Sequence, residues 1–354
     1  MRIAIVASPF IPAPPVRYGG TELFVSNLAE ALKAMGETVV VYSNGESTVD
    51  VEVRWRYREA EWPLPSELSG ITKELDHLSW ALRDASEDCD IIHVNSAPAV
   101  TFSPFVPRPF VCTLHHPFET ALSNLYERNP QVSYVAISHH QAVLHQKLDV
   151  QTIHHGIDLN RYRLQTRKDG YLCFLGRITP LKGTHTAIEI AKKTGIPLKI
   201  AGEIQPIFRD YFDAKVKPHI DGRFIEYVGE ADLNMKNQLL GGAAGMLFPI
   251  HWEEPFGLVM LESMACGTPV FAFRAGAVPE VICEDVSGSI STSVDEMVSS
   301  IEKKRFDPFT VRSWVEQMFS ADAMAAKYLE CYQRILDGET EPDGALEDSG
   351  ELAA

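Results

Sequence analysis

Two carboxylates, Glu254 and Glu262, lie close together in the segment FPIHWEEPFGLVMLESMACGTP at residues 248–269. Pro255 disfavours a helical conformation at Glu254, whereas residues 258–265 have the apolar spacing of a helix. On one continuous helix the two carboxylates would be about 12 Å apart along the axis. The paired carboxylates of glycoside hydrolases are only about 5 to 9.5 Å apart, so this spacing argues against hydrolytic acid and base catalysis.

Between the two carboxylates, Gly257 marks the predicted turn into the helix. A glycine turn presents bare backbone N–H groups, and the N-terminus of a helix favours an anion. An anion site with a carboxylate at either end suits an elongated ligand that carries hydroxyl groups at both ends. The segment therefore indicates a nucleoside diphosphate joined to a sugar.

A second loop bounded by glycines, residues 176–183, reads GRITPLKG and connects a predicted strand to a predicted helix. The guanidinium of Arg177 and the ammonium of Lys182 can together hold two phosphates without a metal ion. Gly183 would let the backbone approach a ligand closely. The alternative is a solvated Lys182 and an Arg177 paired with a surface acid. The presence of the Glu254 segment in the same chain favours the phosphate site.

The first half of the chain carries two further candidate features at the ends of predicted strands. Gly19 and Gly20 follow the first strand and precede an amphipathic helix, where they permit positive φ and close approach of a ligand. A simple helix-entry turn is the alternative there. His115 follows the predicted strand 110–114, at the sheet edge where doubly wound proteins bind ligands. A neutral imidazole at that edge can form a hydrogen bond with a sugar hydroxyl.

Taken in order, these features resemble the retaining glycosyltransferases of family four, which have the two-domain GT-B fold. The resemblance extends from Met1 to about Leu336, and the order and spacing of its motifs are specific. The matching residues are Gly19-Gly20, Thr113-Leu114-His115, His155-Gly156-Ile157-Asp158, Gly176-Arg177, Lys182-Gly183 and Glu254-Pro255-Phe256-Gly257 with Glu262.

The resemblance implies an enzyme that transfers a hexose from a nucleoside diphosphate sugar to a hydroxyl acceptor and keeps the anomeric configuration. UDP-glucose is the expected donor because it is the most frequent one. By the same resemblance, Glu262 binds the ribose hydroxyls, Glu254 binds the donor sugar, and the segment 228–230 lies beside the base. The expected catalytic residues are His115, Arg177, Lys182 and Glu254, and the expected donor-binding residues are Gly19, Gly20, Arg177, Lys182, Val228, Gly229, Phe256, Gly257, Leu258, Val259 and Glu262.

No metal or other cofactor is expected, since Arg177, Lys182 and backbone N–H groups would meet the charge of the diphosphate. The histidine pairs at 139–140 and 154–155 lack the spacing of a zinc site, because adjacent residues of a strand point to opposite faces. The expected partners are the nucleotide-sugar donor and a small-molecule or glycan acceptor.

Short β-branched or aromatic runs alternate with helical patterns along the whole chain. This alternation predicts an α/β fold with two doubly wound, Rossmann-like parallel sheets facing a central cleft. The predicted domains are residues 1–158, which bind the acceptor, and residues 159–320, which bind the donor. By resemblance, a last helix at about 321–336 returns to the first domain. The acidic tail 337–354 has few apolar side chains and is expected to be disordered.

Composition narrows the possible classes of protein. With 354 residues and 45% hydrophobic content the chain can bury two cores, and its net charge of −16 argues against binding to nucleic acid. The 6 cysteines are scattered, which is typical of reduced thiols, and neither a signal peptide nor a membrane-spanning run is recognisable. A cytoplasmic location is therefore expected. The basic and aromatic run at 54–58 predicts an edge strand with Trp55 and Tyr57 on one face, and leaves peripheral membrane contact open.

No GxGxxG follows the first strand, which argues against a nicotinamide dehydrogenase. Three other functions remain as alternatives to the transferase. An epimerase or a phosphorylase with the GT-B fold is nearer, although no cofactor-bearing lysine or free-phosphate site is recognisable for a phosphorylase. A protein that binds a sugar nucleotide without catalysis is the third alternative.

Overall fold

The computed structural model describes residues 1–17, 19–63 and 67–338. Strands and helices alternate in the first half of the chain, as the apolar runs predict. The strands are β1 (Arg2–Val6), β2 (Thr38–Ser43), β3 (Glu52–Trp55), β4 (Ile91–Val94), β5 (Phe110–Leu114), β6 (Ser133–Ala136) and β7 (Val150–Thr152). The helices are α1 (Gly20–Ala34), α2 (Glu67–Asp88), α3 (Ala97–Val100), α4 (Thr120–Glu127) and α5 (His139–Leu144).

These strands form one sheet of 7 strands in the order β3-β2-β1-β4-β5-β6-β7, and all neighbours are parallel. Parallel sheets are covered on both faces, which is why their central strands are apolar in both directions. In β1, Ile3 and Ile5 pack with residues of α1, whereas Ala4 and Val6 pack with residues of α2 on the other face.

The second half of the chain builds a similar unit. Its strands are β8 (Tyr171–Leu175), β9 (Leu198–Ala201), β10 (Ile225–Gly229), β11 (Ala243–Phe248), β12 (Val270–Phe273) and β13 (Gly288–Ser291). Its helices are α6 (Thr184–Thr194), α7 (Arg209–Tyr211), α8 (Leu233–Gly242), α9 (Leu258–Ala265), α10 (Val278–Val281), α11 (Val294–Lys303) and α12 (Pro308–Met318), and α13 (Ala321–Asp337) follows. The sheet has 6 parallel strands in the order β10-β9-β8-β11-β12-β13. The predicted α/β fold with two doubly wound sheets is confirmed.

Each sheet has a point where the strand order reverses: between β1 and β4 in the first sheet, and between β8 and β11 in the second. The loops that leave the carboxyl ends of such strands diverge, and ligands of open α/β sheets bind in the crevice between them. Gly19 and Gly20 follow β1, Arg177 follows β8, and Glu254 follows β11. The topology alone therefore brings these residues to the crevices of the two sheets.

The chain passes between the two units twice, and the two passages touch. The Ile157 N–H donates to the Phe319 carbonyl over 3.0 Å, and the Ala321 N–H donates to the Ile157 carbonyl over 2.9 Å. A Cβ atom at Gly156 would lie 2.2 Å from the Ser320 carbonyl oxygen, so this close approach requires glycine. The predicted boundary at residue 158 falls beside this crossing and remains a prediction.

The last helix, α13, packs on α1 and on the first sheet through a buried polar network. The Tyr332 hydroxyl is 2.6 Å from His93 Nδ1, and the Tyr328 hydroxyl is 2.9 Å from Thr113 Oγ1. His93 Nε2 is in turn 2.7 Å from Thr113 Oγ1. Hydrogen bonds among buried polar groups lock the helix in one position, because each group would otherwise be desolvated without a partner.

The tail prediction falls mostly outside the described residues. Asp337 belongs to α13 rather than to a tail, and Gly338 ends the helix in the left-handed conformation at φ 72°. Residues 339–354 lie outside the described ranges.

The basic and aromatic run at 54–58 is predicted as an edge strand with Trp55 and Tyr57 on one face. The edge strand is confirmed, since β3 lies at the edge of its sheet, but β3 ends at Trp55, so its predicted extension to Tyr57 is wrong. Arg54 forms ion pairs with Asp84 over 2.7 Å and with Asp88 over 2.8 Å, both on α2. Arg56, beyond the strand, pairs with Asp76 of the same helix. The acidic side chains of α2 therefore engage two of the three arginines of the run.

Two other elements are absent from the sequence predictions. The strands β7 and β13 have only 3 and 4 residues and carry no long apolar run.

The six cysteines are free thiols. None of the helices in the described ranges combines the length and apolarity that crossing a bilayer requires.

The substitution Tyr332→Phe tests the α13 network. It removes the hydroxyl that faces His93 and leaves a buried imidazole nitrogen without its partner, so the free energy of unfolding should fall by about 1 to 3 kcal/mol. Urea denaturation measures it. Gln333→Ala, at an exposed position of the same helix, should change stability by less than about 0.5 kcal/mol. Equal stability of both variants would show that the network contributes nothing.

Candidate active site

A cavity of about 310 Å³ opens between the carboxyl edges of the two sheets. Of the thirteen residues predicted to be catalytic or donor-binding, eleven line it: Gly19, Gly20, His115, Arg177, Lys182, Glu254, Phe256, Gly257, Leu258, Val259 and Glu262. They come from both halves of the chain. The fold brings them together because all of them except Glu262 follow a strand or begin a helix at these edges.

The other two predicted residues, Val228 and Gly229, are not among the lining residues; Glu230, Ala231 and Leu233 line the cavity instead. Val228 and Gly229 still belong to β10, whose last residue is Gly229. A ligand meets the loop beyond the strand end rather than the strand itself, which explains the displacement by one or two residues.

Glu254 lies in the loop between β11 and α9, outside the helix as Pro255 predicts. The turn at Gly276 contacts this loop and fixes it, since the Ala277 N–H donates to the Glu254 carbonyl over 2.9 Å. A Cβ at Gly276 would lie 2.2 Å from that carbonyl oxygen, and φ is 54° there, so only glycine fits without strain. The backbone that presents Glu254 is therefore tightly constrained.

The carboxylate of Glu254 is buried and receives two donors on one oxygen. Lys182 forms an ion pair with Oε2, and the Trp252 indole N–H donates to the same oxygen over 2.9 Å. The Lys182 ammonium also lies 4.6 Å from the centre of the Trp252 ring, within range of a cation–π interaction. The described residues provide no hydrogen bond to Oε1 of Glu254, which leaves that oxygen for a ligand.

The loop after β8 places its two cations differently from its last glycine, Gly183. Arg177 and Lys182 both line the cavity, whereas Gly183 is not among the lining residues. A Cβ at Gly183 would lie 1.9 Å from the Pro249 carbonyl oxygen, with φ at 74°. The expectation that Gly183 admits a ligand is therefore not what the structure shows: this glycine admits the neighbouring loop after β11, which joins the Lys182 and Glu254 loops.

Helix α9 begins at the cavity. Its N-cap, Gly257, has φ 90°, and among the described residues no side chain caps the helix. Leu258 and Val259, the first two helical residues, line the cavity. The Met260 N–H already donates to the Gly257 carbonyl over 2.9 Å. The N–H groups that precede it have no carbonyl within the helix to bond, and together with the helix dipole they favour an anion.

Glu262 lies one turn further along α9 and is only 1% exposed. Its Oε1 accepts hydrogen bonds from the Tyr162 hydroxyl and from the Lys236 ammonium, each over 2.8 Å. Oε2 has no hydrogen-bond partner in the described part of the chain. A buried carboxylate oxygen without a partner costs free energy, and a ligand hydroxyl would supply the missing donor.

The wall of the cavity that belongs to the first half contains Gly19, Gly20 and His115. Gly19 has φ 148°, and a Cβ there would lie 2.7 Å from Pro15. The Asn95 amide donates to the Val6 carbonyl over 3.2 Å, so its Oδ1 is the acceptor that faces His115 Nε2 at 2.9 Å. His115 Nε2 therefore carries the proton and Nδ1 keeps its lone pair.

The charge state of His115 follows from its surroundings. Its ring stacks on His155 with 5.3 Å between centroids and contacts Phe24 at 4.9 Å. Burial, followed by the neighbouring His155, lowers the pKa of His115 well below its ordinary value. His115 is therefore a neutral hydrogen-bonding group at neutral pH rather than a cation.

A cluster of His139, His154 and Glu280 joins the two halves beside the cavity, without lining it. The Glu280 carboxylate accepts hydrogen bonds from the backbone N–H groups of His139 and His140, each over 2.7 Å. His154 Nε2 lies 2.8 Å from Oε2 of the same carboxylate. Metal-ligating atoms of the three residues lie within 4.8 Å of one another. In this structure the carboxylate is occupied by hydrogen bonds from the other half, so the cluster acts as a clasp between the units.

Sequence reasoning missed four lining residues that shape the site: Tyr162, Glu203, Lys236 and Trp252. Glu203 accepts a hydrogen bond from the Trp62 indole, which reaches over from the first half across 3.1 Å. Burial raises the pKa of Glu203. Only Trp252 had a usable signal, since it stands two residues before Glu254. Lys236 lies in a helix whose sequence does not distinguish it from a surface lysine.

The two sheets, their facing crevices and the glycine-bounded cation loop define a two-domain α/β protein whose cleft carries cationic side chains and a helix N-terminus. A family model described as "Glycosyltransferase Family 4" matches residues 18–161, and one described as "Glycosyl transferases group 1" matches residues 158–305. The two models adjoin and together span most of the chain. The protein belongs to the family-four-like glycosyltransferases, and its fold is GT-B.

Individual proteins agree with this assignment. Glycogen synthase from Mycobacterium tuberculosis is 26% identical over 343 residues, with 81% of each chain covered. AviGT4, a glycosyltransferase involved in avilamycin A biosynthesis, superposes with a TM-score of 0.76 at 24% identity, covering 95% of this chain and 98% of its own. The Anabaena protein HepE, solved with UDP-glucose, has a TM-score of 0.73 at 17% identity, with coverage of 94% and 99%. The similarity to the two solved structures concerns the fold.

The substitution Glu280→Gln tests the clasp. Burial would raise the pKa of Glu280, but hydrogen bonds from His154 and from the backbone outweigh it and lower the pKa. A lowered carboxylate pKa contributes stability above the unfolded value of about 4.3 and loses it as pH falls through the folded value. The variant should therefore lose about 1.5 to 3 kcal/mol of unfolding free energy at pH 7. Its difference from wild type should shrink below about pH 4.

Thermal and urea unfolding across pH measure this difference. Glu302→Gln is the control, since that carboxylate is exposed on α11 of the same unit. A loss that does not change with pH would mean that the charge of Glu280 is not what the contact uses.

Proposed function

We propose that the protein is a retaining, metal-independent hexosyltransferase that takes its sugar from a nucleoside diphosphate donor, with UDP-glucose as the best candidate, and gives it to a hydroxyl acceptor. The observation that carries this proposal is one cavity that Arg177, Lys182, the N-terminus of α9 and the two carboxylates Glu254 and Glu262 line together. Cations and N–H groups suit the diphosphate of the donor. Carboxylates suit the hydroxyl groups of its ribose at one end and of its sugar at the other.

The leaving group explains why the cations are needed. When the bond from the sugar to the diphosphate breaks, negative charge develops on the β-phosphate. Arg177 can bind two phosphate oxygens at once, and an ammonium has three N–H donors. Lys182 can therefore keep its ion pair with Glu254 and donate to a phosphate oxygen as well. These cations can take the place of a metal ion in the reaction.

The two carboxylates have separate roles in this proposal. Glu262 accepts a ribose hydroxyl on Oε2, the oxygen for which the described residues provide no partner. Glu254 accepts a hydroxyl of the donor sugar on Oε1, because Lys182 and Trp252 both occupy Oε2. The diphosphate then lies between them, against the first turn of α9.

The acceptor enters from the side of the first domain, where Gly19, Gly20 and His115 line the cavity. His115 is neutral, and its Nδ1 lone pair can accept a hydrogen bond from a sugar hydroxyl. Both oxygens of Glu254 are engaged in this arrangement, so it is not a free nucleophile. A front-face reaction, in which the leaving phosphate takes the acceptor proton, then accounts for retention without a covalent intermediate. HepE, of the same fold, has been solved with UDP-glucose, which supports the choice of donor.

A donor panel tests the proposal. UDP-, GDP- and ADP-linked hexoses are screened by thermal shift with EDTA present, since a ligand that binds only the folded protein raises the melting temperature. We expect a shift in melting temperature with at least one donor, and the largest shift with UDP-glucose. We also expect slow hydrolysis of that donor, with NMR used to show that the sugar is first released as the anomer present in the donor. Inverted glucose would refute retention, and epimerised donor would favour the epimerase. Release of glucose 1-phosphate with inorganic phosphate would favour the phosphorylase, and binding without turnover a non-catalytic protein.

The substitutions Arg177→Ala and Lys182→Ala test the phosphate cations. Loss of one preorganised donor to a developing oxyanion lowers turnover by about 100- to 1000-fold. Donor hydrolysis or transfer at saturating donor measures it, with circular dichroism to confirm folding. Because Lys182→Ala also removes the partner of Glu254, Lys182→Arg is included and should restore part of the loss. Lys193→Ala, an exposed lysine on α6, should be as active as wild type. Wild-type turnover in Lys182→Ala would contradict the mechanism.

A further inference from the structure

The side chain of Lys236 approaches the cavity from α8, a different element from the helix that carries Glu262. The Asp232 carboxylate accepts the Met235 N–H over 2.8 Å and caps α8, which sets the direction of its first turn. Lys236 lies in that turn, is 17% exposed at its side chain, and lines the cavity. Its ammonium ends 2.8 Å from Oε1 of Glu262.

A carboxylate as buried as that of Glu262 is costly in free energy unless a cation pairs with it. Among the described residues, Lys236 places its ammonium beside this carboxylate, and the Tyr162 hydroxyl donates a second hydrogen bond to the same oxygen, Oε1. Burial, with Glu262 next, raises the pKa of Tyr162 well above its ordinary value, so Tyr162 donates a proton to this bond. Two donors therefore hold Oε1, and the rotation that would exchange the two carboxylate oxygens would break both bonds.

We propose that Lys236 is a positioning residue for recognition of the ribose: its ion pair with Glu262 fixes Oε1, so that Oε2 is presented to the ribose hydroxyls of the donor. This inference rests on the proposed function. Lys236 acts through Glu262 and does not contact the diphosphate. It therefore contributes to binding of the nucleoside part and not to stabilisation of the leaving group, which distinguishes it from Arg177 and Lys182.

A binding experiment with two ligands isolates this role. The probes are the nucleoside diphosphate of the best donor in the panel, expected to be UDP, and its 2′,3′-dideoxy analogue, which lacks the ribose hydroxyls. Isothermal titration calorimetry on the full chain should show Lys236→Met weakening UDP by about 10- to 100-fold, the range for a hydrogen bond to a charged group. The analogue should bind wild type and Lys236→Met equally. In turnover assays the variant should raise the donor KM more than it lowers kcat.

Two further variants keep the test decisive if Lys236→Met folds poorly. Glu262→Gln keeps the shape of the side chain but removes its charge, and adding Lys236→Met to it should weaken UDP no further, since the lysine would have no carboxylate to position. Lys193→Met, a lysine outside the cavity, should bind UDP as wild type does.

The outcomes are distinct. An equal loss for UDP and for the dideoxy analogue would show that Lys236 acts directly on the diphosphate, and would overturn the inference. Unchanged UDP binding in Lys236→Met would overturn it as well, while leaving the proposed function intact. Failure of wild type to bind any nucleoside diphosphate would instead refute the proposed function, and the inference with it.

Discussion

The neutralisation of two buried carboxylates is the constraint on which the cavity depends. Glu254 and Glu262 come from the same loop and helix, and each has one oxygen held by a lysine together with an aromatic donor: Lys182 and Trp252 for the first, Lys236 and Tyr162 for the second. Without these partners two buried charges would be left uncompensated, which is strongly destabilising. With them, one oxygen of each carboxylate stays available to a ligand.

The backbone around these charges tolerates little change, because loops from neighbouring strands approach within contact distance. Gly183 accommodates the loop after β11, and Gly276 supports the peptide that carries Glu254. These glycines bring the cation loop and the carboxylate loop together. Rigid loops suit a site that stabilises charge in a transition state, since preorganised groups need no rearrangement as the charge develops.

Contacts at the junction of the two domains constrain the cavity as well. The Glu280 carboxylate receives donors from the first domain, and the crossing peptides at Ile157 and Ser320 are bonded to each other. The cavity contains residues of both domains, so its shape depends on how the domains meet. The clasp and the α13 network fix the relative position of the two domains. They therefore influence the shape of the cavity although they lie outside it.

Much of this was readable in the chain itself. The period of the apolar runs determined the two sheets and the limits of α9, and the glycine-bounded loops together with Pro255 located Arg177, Lys182 and Glu254, because local backbone preferences depend on neighbouring residues. The partners of those side chains depended on tertiary structure. Lys236, Tyr162 and Glu203 reach the cavity from segments whose local pattern is ordinary. The close approach that the sequence predicts between Gly183 and a ligand is instead a contact with the loop after β11. A pairing between distant segments leaves no mark on either segment alone, so only the folded chain shows it.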